Sequence, residues 1–191
     1  MRISVIGLGY VGLSMAVFVA NRGLKVFGVE KDKSKIEMIS RGQPPFRELG
    51  LGELLLEVLR EGSLRVGSDL SSAVRESEIL FIIVGTPSRP DGSIDISYVE
   101  GVARELGEVL RVAAGYRLIV VRSTVVPGST RNVVSRIIAE VSGLRVAEDF
   151  GLAMNPEFLR EGAALRDLEH PSRIIVEEFD SKSGDPPREV L

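Results

Sequence analysis

Cysteine is absent from the 191 residues, which excludes disulfides, thiolate metal sites and thiol catalysis by these residues alone. Histidine is nearly absent. The single one, His170, precedes Pro171 in a loop, where it reads as a surface residue rather than a base or ligand, and no metal site is expected. Long hydrophobic runs are missing as well: Ile79–Val84 is among the longest and is far too short to span a bilayer. The N-terminal apolar segment is broken by glycines and lacks a basic region and cleavage site, so no signal peptide is expected and the location is read as cytoplasmic. Neither sign of charge dominates. The net charge is −3 and the charges are mixed, which argues against nucleic acid or a membrane surface as partner. Glutamine occurs once and asparagine three times, a depletion of thermolabile side chains that hints at a thermophilic source.

The length suits one domain, or one domain with a fragment of another. Such a chain buries roughly 70% of the surface its unfolded form exposes. Its organising stretch is the first twelve residues. Arg2–Ile6 is short, apolar and rich in β-branched residues, and it runs into Gly7-Leu8-Gly9-Tyr10-Val11-Gly12, after which Val11, Met15, Phe18 and Val19 recur at helical spacing. A strand, a tight turn and a helix are predicted. Gly7 permits the turn, Gly9 lets backbone approach a pyrophosphate, and Gly12 lets helix and strand pack closely. The helix N-terminus then faces an anion. A lone glycine pattern of this kind could be a flexible loop, but here the next strand, Lys25–Val29, ends at Glu30, eighteen residues after Gly12. A carboxylate there accepts the adenosine ribose hydroxyls of a dinucleotide.

Beyond Glu30 the pattern alternates. Asp32 or Ser34 caps a helix ending at Gly42; Pro44-Pro45 breaks the chain; Leu51–Leu59 is a second amphipathic helix closed by Gly62. Leu64–Val66 reads as a strand, Asp69 caps a short helix, and Ile79–Val84 is a strand buried on both faces. After the Gly85–Gly92 loop, Asp95 caps a long helix; Leu118–Val121 is a strand, and a helix follows Gly128. Leu152–Met154 and Ile174–Val176 are the last predicted strands. The fold class is therefore α/β, a doubly wound parallel sheet in a single domain. From Glu177 the chain turns polar with Gly and Pro, which predicts a linker or disordered tail over 178–191.

Several stretches resemble the N-terminal domain of the UDP-glucose/GDP-mannose dehydrogenase family: Gly7–Gly12, Val84-Gly85-Thr86-Pro87, Asp91–Asp95, Ser123-Thr124-Val125-Val126-Pro127-Gly128 and Asn155-Pro156-Glu157-Phe158-Leu159-Arg160-Glu161-Gly162, with a weaker match at Pro171–Ile174. The similarity runs over about residues 1 to 177. It implies an NAD-binding domain of enzymes that oxidise the C6 alcohol of a nucleotide sugar to a carboxylate, with two NAD per turnover. By this resemblance Gly7, Gly9, Gly12 and the Tyr10-Val11 backbone hold the pyrophosphate, Glu30 and Lys35 the adenosine ribose, and Thr86 and Thr124 line the cofactor site. Thr124 and Glu161 position the hydrolytic water, Glu157 assists proton transfer, and Phe158-Leu159-Arg160 offers backbone groups to the sugar nucleotide. From the residues alone, Glu157 and Glu161 could equally be a solvated helix face beside Arg160. Lys31, Lys33 and Lys35 could be read as a 2′-phosphate site, but the Glu30 carboxylate repels such a group, so NAD is expected over NADP.

The sequence departs from the family where it matters for chemistry. The resemblance places a cysteine thiolate, which carries the aldehyde as a thiohemiacetal and thioester, in a C-terminal domain, with a lysine and an asparagine on the linking helices. None of these lies within residues 1–191. The expectation is the NAD-binding half of a nucleotide-sugar 6-dehydrogenase of UDP-glucose type, inactive alone, truncated or partnered by a separate cysteine-bearing chain. The alternative is a degenerate, non-catalytic module. Half an enzyme also predicts exposed apolar surface near Pro44–Leu51, Glu157–Leu168 or the C-terminal strand, with some tendency to form homo-oligomers.

Overall fold

The computed structural model describes residues 1–180 together with 183, 187 and 190. Its frame is a sheet of seven strands among the described residues: β1 (Arg2–Ile6), β2 (Lys25–Val29), β3 (Leu64–Gly67), β4 (Ile79–Ile82), β5 (Leu118–Val121), β6 (Gly151–Met154) and β7 (Glu177–Glu178). The order across the sheet is β3-β2-β1-β4-β5-β6-β7. The first six are parallel, and this order reverses direction between β1 and β4. Ligands of open parallel sheets bind at that switch point.

The helices are α1 (Tyr10–Asn21), α2 (Lys33–Ser40), α3 (Leu51–Arg60), α4 (Leu70–Glu76), α5 (Ser97–Leu110), α6 (Ser135–Ser142) and α7 (Ala164–Glu169). The strands explain their placement. In β4, Ile79 and Phe81 join the core that buries α1, α3 and α7, whereas Leu80 and Ile82 join the core that buries α4, α5 and α6. Period-two alternation carries apolar side chains to both faces, so each face needs a helical layer. Ser4 and Ser77, both buried, pair with each other: Ser4 Oγ lies 2.7 Å from Ser77 Oγ and is also within reach of the Ala73 carbonyl.

Two caps follow the predicted chemistry. Asp32 accepts from the Ser34 and Lys35 N–H groups at the start of α2, and Asp69 accepts from the Ser72 N–H of α4. At α5 the N-cap position is Ile96 rather than the expected Asp95, which stands one residue earlier and accepts from the Ser97 N–H at 2.9 Å.

Three further expectations are corrected. Ile174–Val176 is not a strand: Ile174 and Ile175 are exposed, and the Ile175 carbonyl accepts from the Asn155 side-chain amide at 2.8 Å instead of joining a ladder. The seventh strand falls on Glu177–Glu178 and runs antiparallel to β6, with Ala153 opposite Glu178 and Met154 opposite Glu177, so the sheet is not wholly parallel. The helix after Gly128 opens with a π turn over Thr130–Val134, an inserted residue that a 3.6-residue periodicity does not register. Of the expected tail, Ser183 and Val190 are buried; residues 181, 182, 184–186, 188, 189 and 191 lie outside the described residues. Among the described residues no helix is long and apolar enough to cross a membrane.

Candidate functional site: a glycine cradle and a tied loop

The Gly7–Gly12 turn joins β1 to α1 at the switch point, and each glycine has a separate steric reason. Gly7 has φ +97°, and a Cβ there would lie 2.5 Å from the Ile83 carbonyl oxygen at the end of β4. A Cβ on Gly12 would collide with the Gly7 carbonyl oxygen. At Gly9 a Cβ would meet nothing, so that side faces open space in front of the helix. Helix α1 has no side-chain cap and no acidic residue in its first turn. Its first backbone bond runs from the Leu13 N–H to the Gly9 carbonyl, which leaves the preceding N–H groups without an intrahelical acceptor. Open space, unused donors and a positive dipole end suit a pyrophosphate.

Glu30 stands beside this turn. Its Oε2 accepts from the Leu8 N–H at 3.1 Å, and Oε1 accepts from the Lys31 and Asp32 N–H groups at 2.9 and 3.1 Å. A carboxylate offers about four acceptor positions, so three are taken and one remains, on Oε2. Lys31 pairs with Glu105 at 2.5 Å, and the Asp32 carboxylate caps α2 through the Ser34 and Lys35 N–H groups. Lys35 is half-buried in the first turn of α2, and Thr86 is half-buried in the loop after β4.

The second group of predicted residues follows β5 and β6, neighbouring strands. Thr124 is exposed after β5, Glu157 is half-buried and Glu161 exposed after β6. The stretch 155–160 has no helix, so the two carboxylates do not share a helical face, and no hydrogen bond or ion pair joins Thr124, Glu157 and Glu161 among the described residues. The Glu157 carboxylate accepts from the Leu159 N–H at 2.6 Å, and the Arg160 N–H donates to Asp167 at 2.9 Å. Leu159 and Arg160 therefore spend their N–H groups inside the protein, while Phe158 is exposed with Arg173 over its ring at 4.7 Å. The Arg160 guanidinium also grips Asp167 at 2.6 and 3.1 Å. That pair, with the backbone bond, pulls the Asp167 carboxyl down to about 2.

Sequence reading missed what holds this loop. Arg122, the last residue before Ser123-Thr124, is buried and donates through Nη1 to Asn155 Oδ1; its Nε has no partner among the described residues. Burial lowers its pKa to about 10, and the nearby Glu157 charge offsets part of that. The available signal was a cation closing an otherwise apolar strand. Arg122 and Asn155 line a cavity of about 690 Å³ with Glu157, Arg160, His170 and Arg173. His170 ends α7, exposed, its N–H on the Arg166 carbonyl.

Tyr10 was expected to act through its backbone, yet its side chain spans the two regions. The hydroxyl donates to Glu48 Oε2, lies 3.1 Å from the Arg160 carbonyl and accepts from the Gly162 N–H at 2.6 Å. Phe46 packs on the ring at 4.9 Å between centroids. Burial and the Glu48 carboxylate raise the phenol's pKa above its usual value, so the hydroxyl keeps its proton. Leu49 at 88%, Phe158 at 43% and Ile174 at 45% are exposed apolar side chains.

Fold order, cradle and carboxylate together define a dinucleotide-binding domain of the dehydrogenase kind. The particular family follows from likeness to known proteins. Residues 1–190 match the UDP-glucose/GDP-mannose dehydrogenase family, NAD binding domain, and the chain belongs to that family. It is 46% identical over 185 residues to GDP-mannose 6-dehydrogenase of Pseudomonas syringae pv. syringae, covering 97% of this chain and 42% of that protein. It is 44% identical over 177 residues to UDP-glucose 6-dehydrogenase of Rhizobium meliloti (strain 1021), covering 92% and 39%. The crystal structure of a ternary complex of GDP-mannose dehydrogenase from Pseudomonas aeruginosa superposes with a TM-score of 0.98 at 42% identity, over all of this chain and 44% of that one. The chain thus spans less than half the length of these relatives.

Proposed function

We propose that this chain is the NAD-binding half of a nucleotide-sugar 6-dehydrogenase that oxidises the C6 alcohol of a nucleotide sugar to a carboxylate. The observation that carries the reading is the cradle: Gly9 facing open space before the uncapped N-terminus of α1, with the Glu30 carboxylate fixed beside it by three backbone N–H groups. NAD, when bound, supplies the hydride acceptor. The chain's own residues bind and place the reactants. The α1 N–H groups hold the pyrophosphate, the free acceptor position of Glu30 takes a ribose hydroxyl, and Lys35, Thr86 and Thr124 line the remainder of the cofactor site. Thr124 and Glu161 orient the water that ends the reaction, Glu157 exchanges protons, and the 157–160 segment lies against the sugar nucleotide.

The sugar nucleotide class rests on the relatives named for GDP-mannose and UDP-glucose, whose identities to this chain, 46% and 44%, are nearly equal. These identities do not choose between the two bases. Residues 1–191 hold no cysteine and do not complete the oxidation on their own. The test is NADH formation from UDP-glucose or GDP-mannose. The pure chain yields none, and adding the cysteine-bearing half of a relative as a separate chain restores it, in a Thr124- and Glu161-dependent manner. Steady NADH production by the 191 residues alone contradicts the proposal.

A further inference from the structure

Tyr10 is the first residue of α1, and its backbone N–H belongs to the anion-facing end of that helix. Its phenol leaves the cradle in another direction. One oxygen there meets three groups: it donates to Glu48 Oε2, it accepts from the Gly162 N–H at 2.6 Å, and the Arg160 carbonyl stands 3.1 Å away as a second acceptor. A hydroxyl has one proton to give and two lone pairs, so the proton goes to Glu48 with the Arg160 carbonyl as a second acceptor, and one lone pair takes the Gly162 N–H. Glu48 in turn accepts from the Leu165 N–H at 3.5 Å through its other oxygen. Phe46, two residues before Glu48, packs against the Tyr10 ring at a tilt of 55°. The irregular loop from Glu157 to Gly162 is thereby tied to the end of the helix that takes the cofactor, across 152 residues of sequence.

We propose that the Tyr10 hydroxyl, with Glu48 as its acceptor, is a positioning group that couples cofactor binding at the α1 N-terminus to the placement of the 157–162 loop. A ligand that orders the first turn of α1 fixes the Tyr10 backbone, and the short phenol bond passes that order to Gly162 and Arg160. Two sites that share one rigid residue bias each other's binding reciprocally. The inference rests on Gly7–Gly12 being the NAD site, and its test separates the two ideas.

The experiment is amide hydrogen exchange on the whole chain with and without saturating NAD, in the wild type, Tyr10→Phe, Glu48→Ala and Glu48→Gln. In the wild type NAD slows exchange at Tyr10–Gly12 and, roughly tenfold, at 160–165, because local opening of the loop becomes linked to opening of the cradle. In Tyr10→Phe and Glu48→Ala the NAD-induced slowing at 160–165 falls close to onefold while that at the cradle persists, and Glu48→Gln, which keeps an acceptor oxygen, recovers part of it. A merely structural tie would raise exchange at 160–165 with and without NAD alike and leave the ratio unchanged. A wild-type ratio in Tyr10→Phe or Glu48→Ala, or a wild-type loop that ignores NAD although the cradle is protected, overturns the coupling. Failure of NAD to protect the cradle overturns both the cofactor site and the inference.

Discussion

The Gly7–Gly12 turn and the Asn155–Gly162 loop follow β1 and β6, with β4 and β5 between them in the sheet, and are built by opposite means. The turn is assembled from backbone: glycines where a Cβ would strike a carbonyl, helix N–H groups left over by geometry, and one carboxylate held by main-chain donors. Nearly all of its parts lie within thirty residues of one another. The loop is assembled from side chains brought from afar, with Arg122 on Asn155, Asp167 on Arg160 and Tyr10 on Gly162. Glu157, half-buried, lines a cavity of about 690 Å³, and Glu161 is exposed. A backbone-built site is complete when the local fold is complete; a loop held by distant ties and facing an open cavity leaves room for further contacts.

That contrast can be broken most severely at Gly12. Gly12→Ala pushes a methyl into the Gly7 carbonyl, backbone that cannot swing aside, and costs at least about 3 kcal/mol of stability; chemical denaturation measures it. Glu30→Ala comes next. It removes a charge-assisted hydrogen bond to the ribose and loosens the Leu8 N–H anchor, so NAD binding weakens by about 10- to 100-fold in a calorimetric titration. Gly9→Ala sharpens the comparison because its two effects separate. The site is open and φ is −73°, so stability stays within about 0.5 kcal/mol. NAD affinity nevertheless falls about tenfold or more, since the methyl occupies the approach of the phosphate.

The smallest effect belongs to the loop and depends on pH. The Asp167 carboxyl is held at about 2 against an ordinary 3.8, so the folded state favours its ionised form. The Arg160–Asp167 tie therefore stabilises the loop fully above about pH 5 and is lost as pH falls toward the folded value. Wild type and Asp167→Asn differ in protection of the 160–169 amides at pH 6, and the difference closes as the pH approaches 2. A difference that persists unchanged at pH 2 removes Asp167 as the titrating partner.

How much was legible in the sequence follows the same division. Gly7, Gly9, Gly12 and Glu30 could be picked out because the strand-turn-helix-strand spacing that carries them is local. The six parallel strands could be placed because two-sided burial writes itself as apolar runs. Glu48, Asn155 and Asp167 carry no such local signature: each acts through a partner at least seven residues away and as many as 117. Ile174–Val176 looked like a strand for the same reason, since composition does not reveal that the Asn155 side chain takes the Ile175 carbonyl.

The most direct test of the central claim is calorimetric titration of the purified chain with NAD, with NADP as control. NAD is expected to bind in the micromolar to millimolar range and NADP at least about tenfold more weakly, because the Glu30 carboxylate repels a 2′-phosphate. Equal or tighter NADP binding contradicts the role given to Glu30, and no binding of either nucleotide contradicts the cradle as a working cofactor site.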